Sequence, residues 1–86
     1  MDTEELAELI IRMGGEINEV ADSLYGAVKR EPAAAELTAL LKRSRTLLSK
    51  YDDLAKQLEG GKKRRLLVYD GDIAQIRTYM NKLEAR

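Results

Sequence analysis

The densest run of chemically capable side chains in the sequence is Gly60-Gly61-Lys62-Lys63-Arg64-Arg65, a glycine pair followed by four cations. Free backbone N–H groups at a helix start, backed by side-chain charge, can bind phosphate, so Lys62, Lys63, Arg64 and Arg65 form a candidate anion-binding turn. The segment is not a P-loop, because the GxxxxGK[ST] spacing is not met and Lys62 is followed by Lys63. Lys42, Arg43 and Arg45 extend the basic character, giving nine bases against three acids between residues 42 and 65. They lie about 20 residues, or roughly 30 Å of helix, before Gly60, which makes two clusters rather than one. Of the four tyrosines, Tyr51 and Tyr69 belong to apolar stripes, which leaves little aromatic surface for stacking bases. Nucleic-acid or polyanion binding through residues 62–65 is therefore the alternative reading, not the leading one.

Other chemistries are limited by composition. The 86 residues contain no Cys and no His. That excludes zinc fingers, His-based phosphotransfer, Cys or Ser-His nucleophilic catalysis and His-ligated metal or haem within this chain. No Asp/Glu spacing resembles a calcium loop. A helical bundle can catalyse with Arg, Lys and carboxylates alone, as AroQ-type chorismate mutases do, but it must aim Arg and Lys inward. Here Arg12, Lys42, Arg43 and Arg45 fall off the apolar stripes, and the inward polar residue is Ser44. Its hydroxyl is expected to bond back to the Leu40 carbonyl. No catalytic, cofactor-binding or metal-binding residue is assigned, no cofactor is expected, and the protein reads as a non-enzyme.

The elements that position these groups follow from the spacing of apolar residues. Leu37, Leu40, Leu41, Ser44, Leu47, Leu48, Tyr51, Leu54, Ala55 and Leu58 share a stripe at 100° per residue, which predicts an amphipathic helix over 32–59. Pro32 suits its first turn, and Gly60-Gly61 suits a left-handed cap after it. Leu6, Leu9, Ile10, Met13, Ile17, Val20, Leu24 and Val28 recur at three- and four-residue steps, a coiled-coil-like seam for a first helix over 3–30. Asp2 or Thr3 could cap it, and Glu4 and Glu5 suit its first turn. Gly14, Gly15 and Gly26 interrupt it without shifting the apolar phase. Leu66, Tyr69, Ile73, Ile76, Met80 and Leu83 predict a third helix over 62–85. In the competing reading, residues 64–69 are extended and the helix starts near residue 71, with Asp72 and Gln75 as a capping box. The continuous helix is preferred because a ten-residue connection is long for a compact bundle. The expected fold is all-α: a single domain over 1–86, built as a three-helix antiparallel up-down-up bundle with coiled-coil-like seams.

The formal charge is zero, but residues 1–31 carry eight acids against three bases, and residues 32–86 carry seven acids against twelve bases. An acidic first helix is expected to pack beside more basic neighbours. The start, MDTEEL, is acidic where a signal peptide would be positive, and no apolar run approaches the ~20 residues of a membrane span, so a cytoplasmic protein without membrane contact is expected. Ile11, Leu67 and Val68 lie off their stripes, Gly15 and Gly26 line a small-residue face, and Tyr79 sits at a stripe edge. Together they form a candidate partner-binding set. The leading expectation is a protein-protein interaction module, an adaptor, small chaperone or assembly subunit. It would self-associate, with a dimer favoured, or bind a helical partner.

Overall fold

The computed structural model describes residues 3–85, and among them every regular element is helical. Helix α1 spans Thr3–Lys29, α2 spans Ala34–Gln57, α3 spans Gly60–Leu67 and α4 spans Asp70–Glu84. The all-α class expected from the spacing holds; the helix count does not, because the expected third helix is two. Asp2, offered as a cap for α1, lies outside the described residues.

Each seam becomes one wall of a common core. From α1, Ile10, Met13, Ile17, Val20, Leu24 and Ala27 are buried; from α2 come Leu41, Leu47, Tyr51 and Leu54; Leu66 is the contribution of α3; and Ile73, Ile76, Met80 and Leu83 come from α4. Cross-links fix the directions. Glu19 pairs with Arg43 at 2.9 Å and Arg30 with Glu36 at 3.4 Å, so α1 and α2 run antiparallel. Arg45 pairs with Glu84 at 2.7 Å and Asp52 with Arg77 at 3.8 Å, so α2 and α4 also run antiparallel. Helix α4 is therefore parallel to α1, with Tyr69 level with Gly14 and Tyr79 level with Tyr25. The body measures 42 × 19 × 17 Å. Its length is that of α1, whose 27 residues span about 40 Å. Ser44 is fully buried, and its hydroxyl donates to the Leu40 carbonyl at 2.8 Å, the bond its position in the stripe calls for.

The helix ends differ from the simplest reading. Pro32 stays in the connection, and the backbone of Ala33 is extended (φ −60°, ψ 150°) before α2 begins. Helix α2 stops at Gln57, because Leu58 turns extended to bury its side chain in the core. Gly60 does not cap α2. Its φ of +63°, a conformation open to glycine at little cost, turns the chain into α3. Residues 60–67 are helical, not extended, even though four cations occupy this short helix. Leu66, with no exposed surface, holds it to the core. The interruption falls at Val68–Tyr69, where the Tyr69 N–H bonds to the Leu66 carbonyl three residues back and Tyr69 adopts φ −88°, ψ 0°. The helix resumes when Ile73 N–H bonds to the Tyr69 carbonyl. Asp72 and Gln75 lie inside α4, so the capping box expected of them does not start it.

The break turns Tyr69 onto α1. Gly14 is buried beneath its ring, and a Cβ built on Gly14 would stand 2.5 Å from Tyr69 Cζ and 3.1 Å from Cε1. Gly15 faces open space. The two adjacent glycines should therefore respond oppositely to alanine. Gly15→Ala gains about 1 kcal/mol from helix propensity. Gly14→Ala loses about 1–2 kcal/mol through overpacking against the ring. In a Tyr69→Ala background, Gly14→Ala should become stabilising by about 1 kcal/mol. Urea denaturation of the four variants measures this, and a Gly14→Ala that stabilises the parent protein would contradict the close approach.

Candidate interaction surface

The α3–α4 junction is built from three directions. Leu66 points into the core, Tyr69 lies on Gly14 of α1, and Tyr51 reaches in from α2. The Tyr51 ring is buried. Its hydroxyl donates to Asp70 Oδ1 at 2.5 Å and lies 3.4 Å from the Leu66 carbonyl oxygen. Asp70 opens α4, where the positive end of the helix dipole favours its charge. Burial first, and the bond to the Asp70 carboxylate second, push the Tyr51 hydroxyl well above the ordinary tyrosine range.

This junction sorts the candidate residues into two groups. Ile11 lies one turn before Gly14 and about 60° further round α1, away from the core. It is 72% exposed. Val68 precedes Tyr69 and is 73% exposed, so the contact of Tyr69 with Gly14 has an exposed apolar side chain close by on each of the two helical arms, Ile11 on one and Val68 on the other. Gly15 lies one turn after Ile11 and is exposed, and Leu67, on α3, is 38% exposed. Gly26 and Tyr79 are not part of this group. They lie some 15 residues along α1, about 22 Å away, where the Tyr25 and Tyr79 rings pack with centroids 6.0 Å apart and Lys29 Nζ sits 4.6 Å from the Tyr25 centroid. Gly26 is half-buried against its own helix's Arg30. The glycine that admits a close neighbour is Gly14, which the sequence reading passed over. Its signal was present, since it lies four residues after Ile10 and three before Ile17, the spacing of the seam itself.

Lys62 is half-buried, whereas Lys63, Arg64 and Arg65 are exposed. Arg12, Arg30, Arg43, Arg45 and Arg77 each meet a carboxylate. Among the described residues, Lys63, Arg64 and Arg65 join no such pair. Helix α3 packs against α1, whose first turns carry Glu4 and Glu8, both exposed, with Glu8 3.6 Å from Arg12. Arg64 is one turn before Val68, and Lys63 is one turn before Leu67, so charge and apolar surface alternate on the exposed side of α3. Among the described residues no group of three or more Asp or Glu is placed to hold a metal ion, and no buried side-chain nitrogen or oxygen lacks a partner. No helix of the described residues is long and apolar enough to cross a membrane.

Comparison with protein-family models, with curated proteins and with solved structures gives no match for this chain.

The Tyr51 bond carries a pH signature. An unfolded tyrosine loses its proton near pH 10, while folded Tyr51 holds on to its own, so above that pH the unfolded chain binds fewer protons and stability falls. The contribution is complete below pH 10 and declines above it by about 1.4 kcal/mol per pH unit. Tyr51→Phe should cost about 1–2 kcal/mol at neutral pH. That gap should narrow and then reverse as pH rises past 10. Chemical denaturation of both proteins from neutral to alkaline pH checks it, and a gap independent of pH would refute the buried bond.

Proposed function

We propose that the protein is a non-enzymatic interaction module that self-associates or binds a helical partner through the face around Tyr69. The observation that carries this reading is the exposure of Ile11 and Val68, at 72% and 73%, next in chain to the Gly14–Tyr69 contact on the two arms it joins. Large apolar side chains grouped on one face, held by a fixed backbone and rimmed by charge, suit a docked helix. The three-arm bundle expected from the sequence supports the same reading if α3 and α4 are taken as one bent arm. Its inner faces are then spent on its own core, leaving outward-facing residues for a partner. Among the described residues no Arg or Lys is buried, which favours binding over catalysis.

Polyanion binding through Lys62, Lys63, Arg64 and Arg65 is the second reading, favoured by the lack of ion pairs at Lys63, Arg64 and Arg65 among the described residues. The acidic edge of α1 beside them repels a polyanion, which places this reading second.

Selection of amphipathic helical peptides on the immobilised full chain tests the first. Binders should lose about tenfold or more in affinity on Ile11→Asp, equivalent to 1.4 kcal/mol. Retention on heparin that depends on residues 62–65, with no Ile11-dependent peptide recovered, would transfer the function to the basic helix.

A further inference from the structure

The face around Tyr69 has a charge arrangement that names its occupant. On the α1 side, Ile11 is accompanied by Glu4 and by Glu8, which also meets Arg12 of its own helix at 3.6 Å; on the α3 side, Val68 is accompanied by Arg64 and Arg65. The two sides are level, because Tyr69 meets Gly14 and α3 runs back alongside the start of α1. We propose that the partner is a second copy of this chain, related by a two-fold axis parallel to the bundle's long axis.

This proposal rests on the reading of the face as a docking surface and specifies what docks. Rotation about such an axis exchanges the two sides at constant height. Ile11 of each copy meets Val68 of the other, and the Glu4 and Glu8 edge meets Arg64 and Arg65 twice over. A two-fold contact needs a patch complementary to itself, and a patch acidic on one flank, basic on the other and apolar between satisfies that requirement. It also gives partners to Arg64 and Arg65, which join no ion pair among the described residues, whereas Arg12, Arg30, Arg43, Arg45 and Arg77 all meet a carboxylate. A uniformly acidic partner would suit α3 but be repelled by Glu4 and Glu8, and a basic partner would meet the reverse conflict. Covering half the length of one face buries on the order of 1,000 Å² in total, the size of a reversible contact.

Sedimentation velocity of the full chain, from low micromolar to near-millimolar concentration, tests the proposal. The parent protein should pass from monomer to dimer. Ile11→Asp and Val68→Asp should stay monomeric with unchanged helicity and melting, since both side chains are solvent-exposed. The double variants Glu4→Lys/Glu8→Lys and Arg64→Glu/Arg65→Glu should each dimerise about tenfold or more weakly. Mixed together they should form a heterodimer, which Ile11→Asp in both members abolishes.

A parent protein that stays monomeric overturns the second-copy proposal. If peptides selected on the immobilised chain then still depend on Ile11, the broader docking reading survives; if none does, both fall. Charge variants that dimerise as well as the parent, while Ile11→Asp does not, overturn the two-fold arrangement alone. Dimers that persist in Ile11→Asp and Val68→Asp overturn the assignment of this face.

Discussion

The packing of Tyr69 on Gly14 is the contact on which the rest of this structure turns. A continuous third helix would carry residue 69 on a regular path alongside α1. The three-residue hydrogen bond from Tyr69 to Leu66 instead bends the chain, sets the ring on Gly14, the α1 glycine that faces it, and lets α4 resume with Asp70 under the Tyr51 hydroxyl. Three helices thereby fix one junction: α1 supplies the space, α2 the buried hydroxyl, and the third arm the bend. The outward exposure of Val68 follows, since a residue adjacent to an inward-turned Tyr69 in helical backbone must point elsewhere.

Most of the core was legible because it depends on period. The three- and four-residue spacing marked Ile10, Met13, Ile17, Val20 and Leu24, and likewise Leu41, Leu47, Leu54, Ile73, Ile76 and Leu83, all of them buried. Ser44 and its bond to Leu40 were legible for the same reason. The break at Val68–Tyr69 was legible only as the competing start near residue 71, with the segment before it wrongly extended, and its causes were not. It carries no proline or glycine, and its causes, the Gly14 space and the Tyr51 hydroxyl, lie 55 and 18 residues earlier in the chain, numbers fixed only once the helices pack. Helix ends were misplaced where a tertiary demand overrode a local signal. Leu58 leaves α2 to enter the core, so Gly60 serves the entry to α3 and not the exit from α2. The candidate face was half legible. Off-stripe position identified Ile11, Leu67 and Val68 as exposed, but only the parallel course of α1 and α4 separates them from Gly26 and Tyr79.

Charge is distributed by role. The pairs Glu19–Arg43, Asp52–Arg77 and Arg45–Glu84 bind α1 and α4 to α2 along exposed seams, where such pairs contribute little stability but penalise a slipped register. Of these, Glu19–Arg43 joins the net-acidic start of the chain to its net-basic remainder.

Helix α3 is held to the core through Leu66 alone, whereas each of the other three helices buries at least four apolar side chains. Its opening therefore needs less free energy than unfolding of the bundle, and the chain contains a small cooperative unit inside a larger one. Arg64, Arg65 and Val68 exist as a surface only while that unit is docked. Anything that grips them also clamps α3, so the affinity of the face and the local stability of eight residues are two readings of one equilibrium.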